Sequence, residues 1–236
     1  MDWNNCFSHG RFGQGFISTT PRTPYERDFD RLIFSAAFRR LQDKTQVFPL
    51  PGPVLVHNRL THSLEVASVG RSIGKLVWER LTGVLQDSLS LAANHFYAAD
   101  LSSVIAAACL AHDIGNPSFG HSGEAAISAY FIDKAGLILN GKPLQNHFNA
   151  AEWQDLTHFE GNANAFRILT HHYANRQKGG YQLTYTTLAA IAKYPCESIA
   201  MAPGQLHTKK YGFFQSEKAG FAEVADLLGM GMVSEQ

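Results

Sequence analysis

The stretch ACLAHDIGNPSFGHSGEAAI, residues 108–127, places four ionisable side chains among alanines, glycines and apolar residues. The doublet His112-Asp113 ends an apolar run, and a Gly-Asn-Pro break follows at 115–117. Because Gly and Pro stop helices, the run predicts a helix that ends at the doublet. A buried charge is costly unless it is paired or binds a metal, so this stretch indicates a functional site.

The composition limits the class of protein. The 236 residues are 45% hydrophobic and 17% charged, which suffices for one globular domain with a sizeable core. Lys plus Arg and Asp plus Glu number 20 each, so no overall charge draws the chain to nucleic acid or to an anionic membrane. Three widely spaced cysteines argue against a disulfide framework, and no apolar run reaches transmembrane length. We expect a cytoplasmic protein without membrane contact.

Hydrophobic spacing and cap residues predict a mostly helical chain of one domain. Helices are expected from Thr23 to about Leu41, from about Thr61, over 100–112, from about Ser122, and over 160–175, 184–193 and 217–229. The proline-rich residues 44–57 predict a small β-hairpin or extended loop, and 136–155 an irregular segment. In the helix from Thr61, the stripe expected to face the core is Val66, Val69, Ile73, Leu76 and Val77.

Two histidines and a carboxylate at helix ends indicate a metal site. His62 lies on the apolar stripe of one helix, and His112 continues the predicted buried face of another, with Asp113 next to it. Mixed nitrogen and oxygen donors favour Mn²⁺, Fe²⁺, Zn²⁺ or Mg²⁺. The alternative is a pair of core histidines bonded to backbone carbonyls. Two such histidines, one followed by Asp, favour the metal site.

His121 and Glu124 are a second candidate pair, three residues apart and therefore on one helical face. A carboxylate beside an imidazole orients the ring and raises its basicity, as in a general base or an activated nucleophile. The alternative is an exposed His-Glu pair at a helix start, where Glu suits the helix dipole. The position just beyond the metal doublet favours a catalytic role.

Cationic residues near these candidates predict an anionic ligand such as a phosphate chain. Arg59 lies one turn before His62, and Lys193-Tyr194 ends an apolar helix. Guanidinium, ammonium and phenol groups all bind phosphate oxygens. The alternative for Lys193 is a solvated cation at a helix C-terminus, where positive charge is favoured in any case.

Five motifs together resemble the deoxyguanosine triphosphate triphosphohydrolase family of HD-domain phosphohydrolases. They are RRLQDKTQVFPL (39–50), RLTHSLEV (59–66), LAHDIGNPSFGHSGE (110–124), HFEGNANAFRIL (158–169) and IAKYP (191–195). The resemblance covers about residues 20–215 and keeps the family's motif order. It implies an all-α enzyme, an HD-domain helical bundle, that uses Mn²⁺ or Mg²⁺. The implied reaction converts a deoxynucleoside triphosphate, above all dGTP, to a deoxynucleoside and tripolyphosphate.

The resemblance also implies residue roles. His62, His112 and Asp113 correspond to metal ligands, and His121 and Glu124 to the catalytic pair at the α-phosphorus. Gln46 corresponds to the glutamine that meets the sugar 3′-hydroxyl. The remaining positions expected to line the nucleotide and phosphate site are Arg59, Asn162, Lys193 and Tyr194. The family further implies a homo-oligomer, often a hexamer, and single-stranded DNA binding in some members.

One departure concerns the fourth metal ligand, an Asp that the family carries in a downstream motif like Glu-Ala-Ala-Asp-Asp. No such motif occurs in these residues, and Asp226 lies on a segment that resembles the helix before it. We therefore interpret residues 1–236 as a single HD-domain region, the N-terminal part of a longer chain with the fourth Asp beyond residue 236. A smaller departure is Ser118, where a second proline is common.

Two other functions compete with this hypothesis. The first is another HD phosphohydrolase acting on a cyclic nucleotide or a guanosine polyphosphate, against which the KTQVF (44–48) and FEGNA (159–163) motifs argue. The second is a truncated or degenerate family member that binds nucleotide or single-stranded nucleic acid without turnover. The missing fourth ligand favours that alternative, and the neutral net charge disfavours a dominant role on nucleic acid.

Overall fold

The protein is built from helices. The structure, a computed structural model, describes residues 2–13, 21–46, 58–174, 178–202 and 204–230. Within them the helices are α1 Pro24–Ile33, α2 Ala36–Arg39, α3 Arg59–Leu85, α4 Leu91–His95, α5 Leu101–Ala111, α6 His121–Asp133, α7 Ala150–Thr157, α8 Gly161–Thr170, α9 Tyr185–Ile191 and α10 Lys218–Leu227. A two-stranded antiparallel hairpin, β1 Ile138–Leu139 and β2 Lys142–Pro143, is the sheet among these residues. The predicted all-α fold class is confirmed.

Local caps set where the first helices begin and end. Thr23 and Glu26 form the capping box at the start of α1, so the predicted start is confirmed. The prediction of one helix to Leu41 is wrong, because α1 ends at Ile33 and Ser35 caps a new helix. The Ser35 hydroxyl accepts a hydrogen bond from the amide of Phe38, an alternative to continuing the helical ladder.

The core lies around α5, which packs against α1, α3 and α9. The buried side chains of this core are apolar, and they come from α1, α2, α3, α5, α8, α9 and α10 and from the residues next to these helices. The most deeply buried include Leu32, Phe38, Leu41, Leu110, Ile114, Phe166, Leu169, Leu188, Phe213, Phe221 and Val224. A smaller cluster, Tyr25, Ala93, Phe96, Tyr97 and Val104, packs beside it.

The predicted core stripe of α3 is wrong. Val69, Ile73 and Leu76 are each more than half exposed, and Val77 is 38% exposed. The face of α3 that meets α5 instead carries Ser63, Ala67, Gly70 and Gly74. A Cβ on Gly70 would lie 2.5 Å from Cys109 Sγ, so the two helices approach too closely for large side chains.

Residues 136–155 are more regular than expected. Asn140 and Gly141, both with positive φ, connect β1 to β2 in the pattern of a type I′ hairpin turn. Asn149 then caps α7, and Glu152 completes the capping box. The Asn-Gly pair was the sequence signal for the hairpin.

The expected hairpin or loop at 44–57 falls almost wholly outside the described residues, as do the last residues of the motif at 39–50. What is described is an antiparallel bridge between Thr45 and Asn58, the residue that caps α3. Among the helices of the described ranges, none combines the length and the apolar character that crossing a membrane requires.

The N-terminal residues 2–13 form no helix, but they are connected to the core. Arg11 pairs with Thr184 in an antiparallel bridge, and its side chain forms a buried ion pair with Asp28 at 2.7 Å. This pair connects the N-terminal segment, α1 and the start of α9.

Candidate metal and catalytic site

Three of the predicted ligands come together at the ends of two helices. His62 is in the first turn of α3, and His112 and Asp113 follow the last residue of α5. One donor atom from each lies within 4.8 Å of the others, and the two imidazole rings are 5.2 Å apart between centroids. Two imidazole nitrogens and one carboxylate oxygen at this spacing suit a divalent cation of the Mn²⁺, Fe²⁺ or Zn²⁺ type.

The hydrogen bonds around His112 prepare one ring nitrogen for a metal. Its Nδ1 lies 2.7 Å from the carbonyl oxygen of Cys109, which assigns the proton to Nδ1 and the lone pair to Nε2. The expectation that both histidines lie on buried faces is wrong: His62 is half-buried, and the His112 side chain is 35% exposed. The cluster is therefore partly accessible to solvent.

Both oxygens of the Asp113 carboxylate are held by neighbouring side chains. Arg59 Nη1 donates to Oδ2 at 2.7 Å, and Asn116 Nδ2 donates to Oδ1 at 2.5 Å. Asp113 is 5% exposed and Arg59 is 7% exposed, so this ion pair is shielded from water. Each carboxylate oxygen has a further lone pair, which leaves the group able to bind a cation.

The second candidate pair is formed as predicted by its spacing. His121 Nδ1 lies 2.8 Å from Glu124 Oε2 in the first turn of α6, and the His121 side chain is 86% exposed. Glu124 is buried, and its Oε1 accepts the backbone N–H of Gly161 at 2.9 Å. The carboxylate is thus fixed by α8 while the imidazole reaches into solvent.

The surroundings of this pair and those of the metal cluster approach each other at two glycines. A Cβ on Gly161 would overlap Asn116 Oδ1 and lie 2.8 Å from Glu124 Oε1, so these two side chains meet at Gly161. Gly120, directly before His121, has a φ of +55°, and a Cβ there would lie 2.7 Å from Arg59 Nη2. Only glycine fits this turn without strain.

The close packing at Gly161 makes a specific prediction. Gly161→Ala is expected to displace the Asn116 and Glu124 side chains and to lower any hydrolytic rate by about tenfold or more, as misplacing catalytic groups does. Thermal unfolding should change little, because the overlapping atoms are side-chain ends. Steady-state rates and melting curves of Gly161→Ala beside Gly136→Ala, at a position with open space around it, would measure this. Equal rates for the two variants would contradict it.

The contacts of the predicted substrate-binding residues give less direct support for their expected roles. Arg59 bonds to Asp113, so its contact with a phosphate stays a prediction. Gln46 has a buried Oε1 with no hydrogen-bond partner among the described residues. Asn162 donates to Glu160 at 2.6 Å. The exposed Lys193 ammonium lies 5.3 Å from the ring centroid of buried Tyr194, and none of the described contacts joins it to the His-Asp cluster.

Lys210 was missed from the sequence. Its ammonium forms an ion pair with the buried Glu160 at 2.8 Å, and Glu160 is also the partner of Asn162. Burial lowers the pKa of Lys210, but the Glu160 carboxylate and the nearby charge of Glu124 outweigh this effect and raise it. The lysine therefore stays charged close to Glu124. It lies in a segment without periodicity, where sequence carried no signal.

Lys44 and Asn116 were also missed, although both lie in the quoted motifs. Lys44 Nζ donates to the carbonyl oxygen of Asn116 at 2.7 Å. Burial, followed by the neighbouring charge of Arg59, lowers the pKa of Lys44. The available signal for Asn116 was its position in the turn three residues after Asp113, where an amide can reach back to a carboxylate.

Comparisons with known proteins agree with this geometry. The profile of the HD domain family matches residues 59–193, which include both clusters. A deoxyguanosinetriphosphate triphosphohydrolase-like protein of Synechocystis is 43% identical over 98% of this chain and 52% of its own length. Another of that name, from Pseudomonas aeruginosa, is 41% identical over the whole chain and 51% of its own length. The deoxyguanosinetriphosphate triphosphohydrolase of Yersinia enterocolitica is 37% identical over 88% of this chain and 44% of its own.

A helical bundle with a His and a His-Asp doublet at facing helix ends defines the class of protein. The chain belongs to the HD-domain family, and its relatives place it in the deoxyguanosine triphosphate triphosphohydrolase group of that family. It spans about half the length of the curated relatives it matches.

Proposed function

We propose that the protein hydrolyses deoxynucleoside triphosphates, with dGTP the preferred substrate, to a deoxynucleoside and tripolyphosphate. The observation that carries this proposal is the presence of two clusters: the donor set of His62, His112 and Asp113, and the His121-Glu124 pair. The Glu124 carboxylate approaches Asn116, the partner of Asp113, at Gly161. The names of the relatives support the substrate class. Mn²⁺ or Mg²⁺ is the proposed cofactor, because oxygen-rich phosphate substrates and mixed N and O donors suit both ions.

The residues divide the chemistry between them. A divalent cation held by His62, His112 and Asp113 would neutralise phosphate charge. His121, oriented by Glu124, is positioned to assist attack at the α-phosphorus, as a base toward water or as the nucleophile itself. Lys210 and the predicted phosphate-site residues supply positive charge and hydrogen bonds, which phosphoryl transfer needs more than covalent chemistry. In the overall reaction one water adds across the bond between the 5′ oxygen and the α-phosphorus.

The product pattern tests the proposal. The purified protein is incubated with dGTP and Mn²⁺ in H₂¹⁸O. The products are separated by anion-exchange chromatography, and their masses are measured by mass spectrometry. We expect deoxyguanosine without label and tripolyphosphate carrying one ¹⁸O. Release of pyrophosphate or orthophosphate would reject the reaction. Cyclic nucleotides and guanosine polyphosphates, run in parallel, test the other HD activities.

A second prediction separates catalysis from metal binding. His121→Gln and Glu124→Gln are each expected to lower the rate by about 10²–10⁴-fold, because each removes acid-base assistance, while Mn²⁺ affinity stays unchanged. Ser122→Ala, exposed in the same turn, is the matched control. The measurements are kcat with saturating substrate and Mn²⁺ titration. A loss of Mn²⁺ binding in the His121 variant would assign that residue to the metal instead.

We also propose that residues 1–236 are a single HD-domain region, the N-terminal part of a longer protein, and that a downstream Asp completes the metal site. The greater length of the relatives supports the first of these two statements. We further propose that the protein is a homo-oligomer, that it is cytoplasmic and that it binds single-stranded DNA. Mn²⁺ titration of the 236-residue chain against a version extended to the full reading frame tests the fourth ligand: tighter binding by the extended form is expected, and equal affinity would count against it.

A further inference from the structure

We propose that Lys44 is a positioning residue for Asp113. The inference rests on the proposed metal site, but it concerns how this chain holds one ligand in place. Lys44 precedes α3 in the chain and belongs to neither cluster. Its interactions nevertheless connect the elements that carry His62, Asp113 and Gln46.

Four hydrogen bonds form a closed ring through Lys44. Its ammonium donates to the Asn116 carbonyl oxygen at 2.7 Å, and the Asn116 amide donates to Asp113 Oδ1 at 2.5 Å. Arg59 Nη1 donates to Asp113 Oδ2 at 2.7 Å, and the Arg59 backbone N–H donates to the Lys44 carbonyl at 2.9 Å. The ring holds both oxygens of Asp113 and returns to the residue where it began.

The ring has two consequences for the site. The Lys44 carbonyl accepts a hydrogen bond from the Arg59 N–H, one of the N–H groups at the start of α3 that have no partner within the helix. His62 lies three residues further along the same first turn. The Lys44 ammonium holds the turn after Asp113, so that the Asn116 amide faces the carboxylate. One residue therefore sets the separation between the two helix ends that supply the metal ligands.

The charge of Lys44 also matters. Burial, followed by the charges of Arg59 and Arg40, lowers the pKa of Lys44, and the Asp113 carboxylate acts in the opposite direction. The Lys44 bond goes to a main-chain carbonyl, so a longer cation with several donors can replace it while an apolar side chain cannot.

The test compares Mn²⁺ affinity in the 236-residue chain, measured by the electron paramagnetic resonance signal of free Mn²⁺. Lys44→Met should weaken binding by about tenfold, within the range for residues that orient metal ligands, and Lys44→Arg should restore most of it. Lys75→Met, an exposed lysine of α3, is the matched control and should leave affinity unchanged. Urea unfolding of each variant shows whether the fold is retained.

A second variant keeps the inference testable if Lys44→Met folds poorly. Asn116→Ala removes the bond to Asp113 but keeps the carbonyl that Lys44 binds. Because Lys44 and Asn116 act through the same carboxylate, the double variant should lose less affinity than the product of the two single losses. Fully multiplicative losses, or Mn²⁺ affinity in Lys44→Met within twofold of the parent, would overturn the inference. So would a parent chain that binds no Mn²⁺.

This test is independent of the test of the proposed function, because it measures Mn²⁺ affinity in the absence of substrate. Lys44-dependent Mn²⁺ binding in a protein that releases no tripolyphosphate would support the positioning role and reject the activity. Tripolyphosphate release with Mn²⁺ affinity independent of Lys44 would do the reverse.

Discussion

Replacing His112 by alanine is expected to abolish measurable Mn²⁺ binding and to lower dGTP hydrolysis by on the order of 10³-fold. A cation that stabilises phosphate charge contributes about 4 kcal/mol to the transition state, and each ~1.4 kcal/mol is a factor of ten in rate. The imidazole supplies its Nε2 to the cluster, while its Nδ1 bonds to the Cys109 carbonyl. Truncation to a methyl group removes this nitrogen donor from the cluster of His62, His112 and Asp113.

The control for His112→Ala is His95→Ala, an exposed histidine at the end of α4. Both variants lose one imidazole, but only His112 lies beside His62 and Asp113. Circular dichroism should show the same helix content in both, since the His112 side chain is about one-third exposed and carries little packing. Full activity in His112→Ala would reject the metal site, and equal losses in both variants would show a general effect on folding.

Local signals in the sequence predicted the parts of the fold that are decided locally. The Thr23 capping box, the break after the His-Asp doublet and the three-residue spacing of His121 and Glu124 each depend on residues close together in the chain. All three appear in the structure, and the last is closed by a hydrogen bond of 2.8 Å. The sequence also predicted that His62 and His112 lie close together, because both were expected at helix ends.

Features that depend on tertiary packing were not predictable in this way. The outward face of α3 carries Val69, Ile73 and Leu76, and its inward face carries Gly70 and Gly74. Apolar periodicity assumes that large side chains face the core, but α5 approaches α3 so closely that only small residues fit. An apolar stripe alone cannot indicate which face a neighbouring helix covers.

The residues that orient the ligands and the catalytic groups could not be predicted for the same reason. Nothing in the spacing of Lys44 and Asn116, 72 positions apart, shows that their atoms meet. Likewise Lys210 contacts Glu160 from an irregular segment. Motif comparison identifies candidate ligands and catalytic groups, whereas the residues that orient them are defined by the distances that folding creates.

Asp28→Ala is expected to lower the free energy of unfolding by about 3–5 kcal/mol, because it leaves the buried charge of Arg11 without its partner. Asp28 is 0% exposed and Arg11 is 2% exposed. Asp28 Oδ1 accepts from Arg11 at 2.7 Å, and Oδ2 accepts from the Thr184 backbone N–H at 2.9 Å and from its hydroxyl at 2.7 Å. One substitution therefore releases the N-terminal segment, α1 and the cap of α9 together.

The matched control is Asp30→Ala, two residues further along α1. Asp30 also pairs with an arginine, Arg22, but these side chains are 39% and 62% exposed. Water solvates both charges and screens the pair, so its removal should cost about 1 kcal/mol or less. Urea unfolding of the two variants thus compares the same residue type on the same helix in opposite surroundings. If the two variants unfold at the same urea concentration, the buried pair adds no more stability than the exposed one. In that case the Gln182 and Pro24 carbonyls, which Arg11 already contacts, stabilise its charge without Asp28.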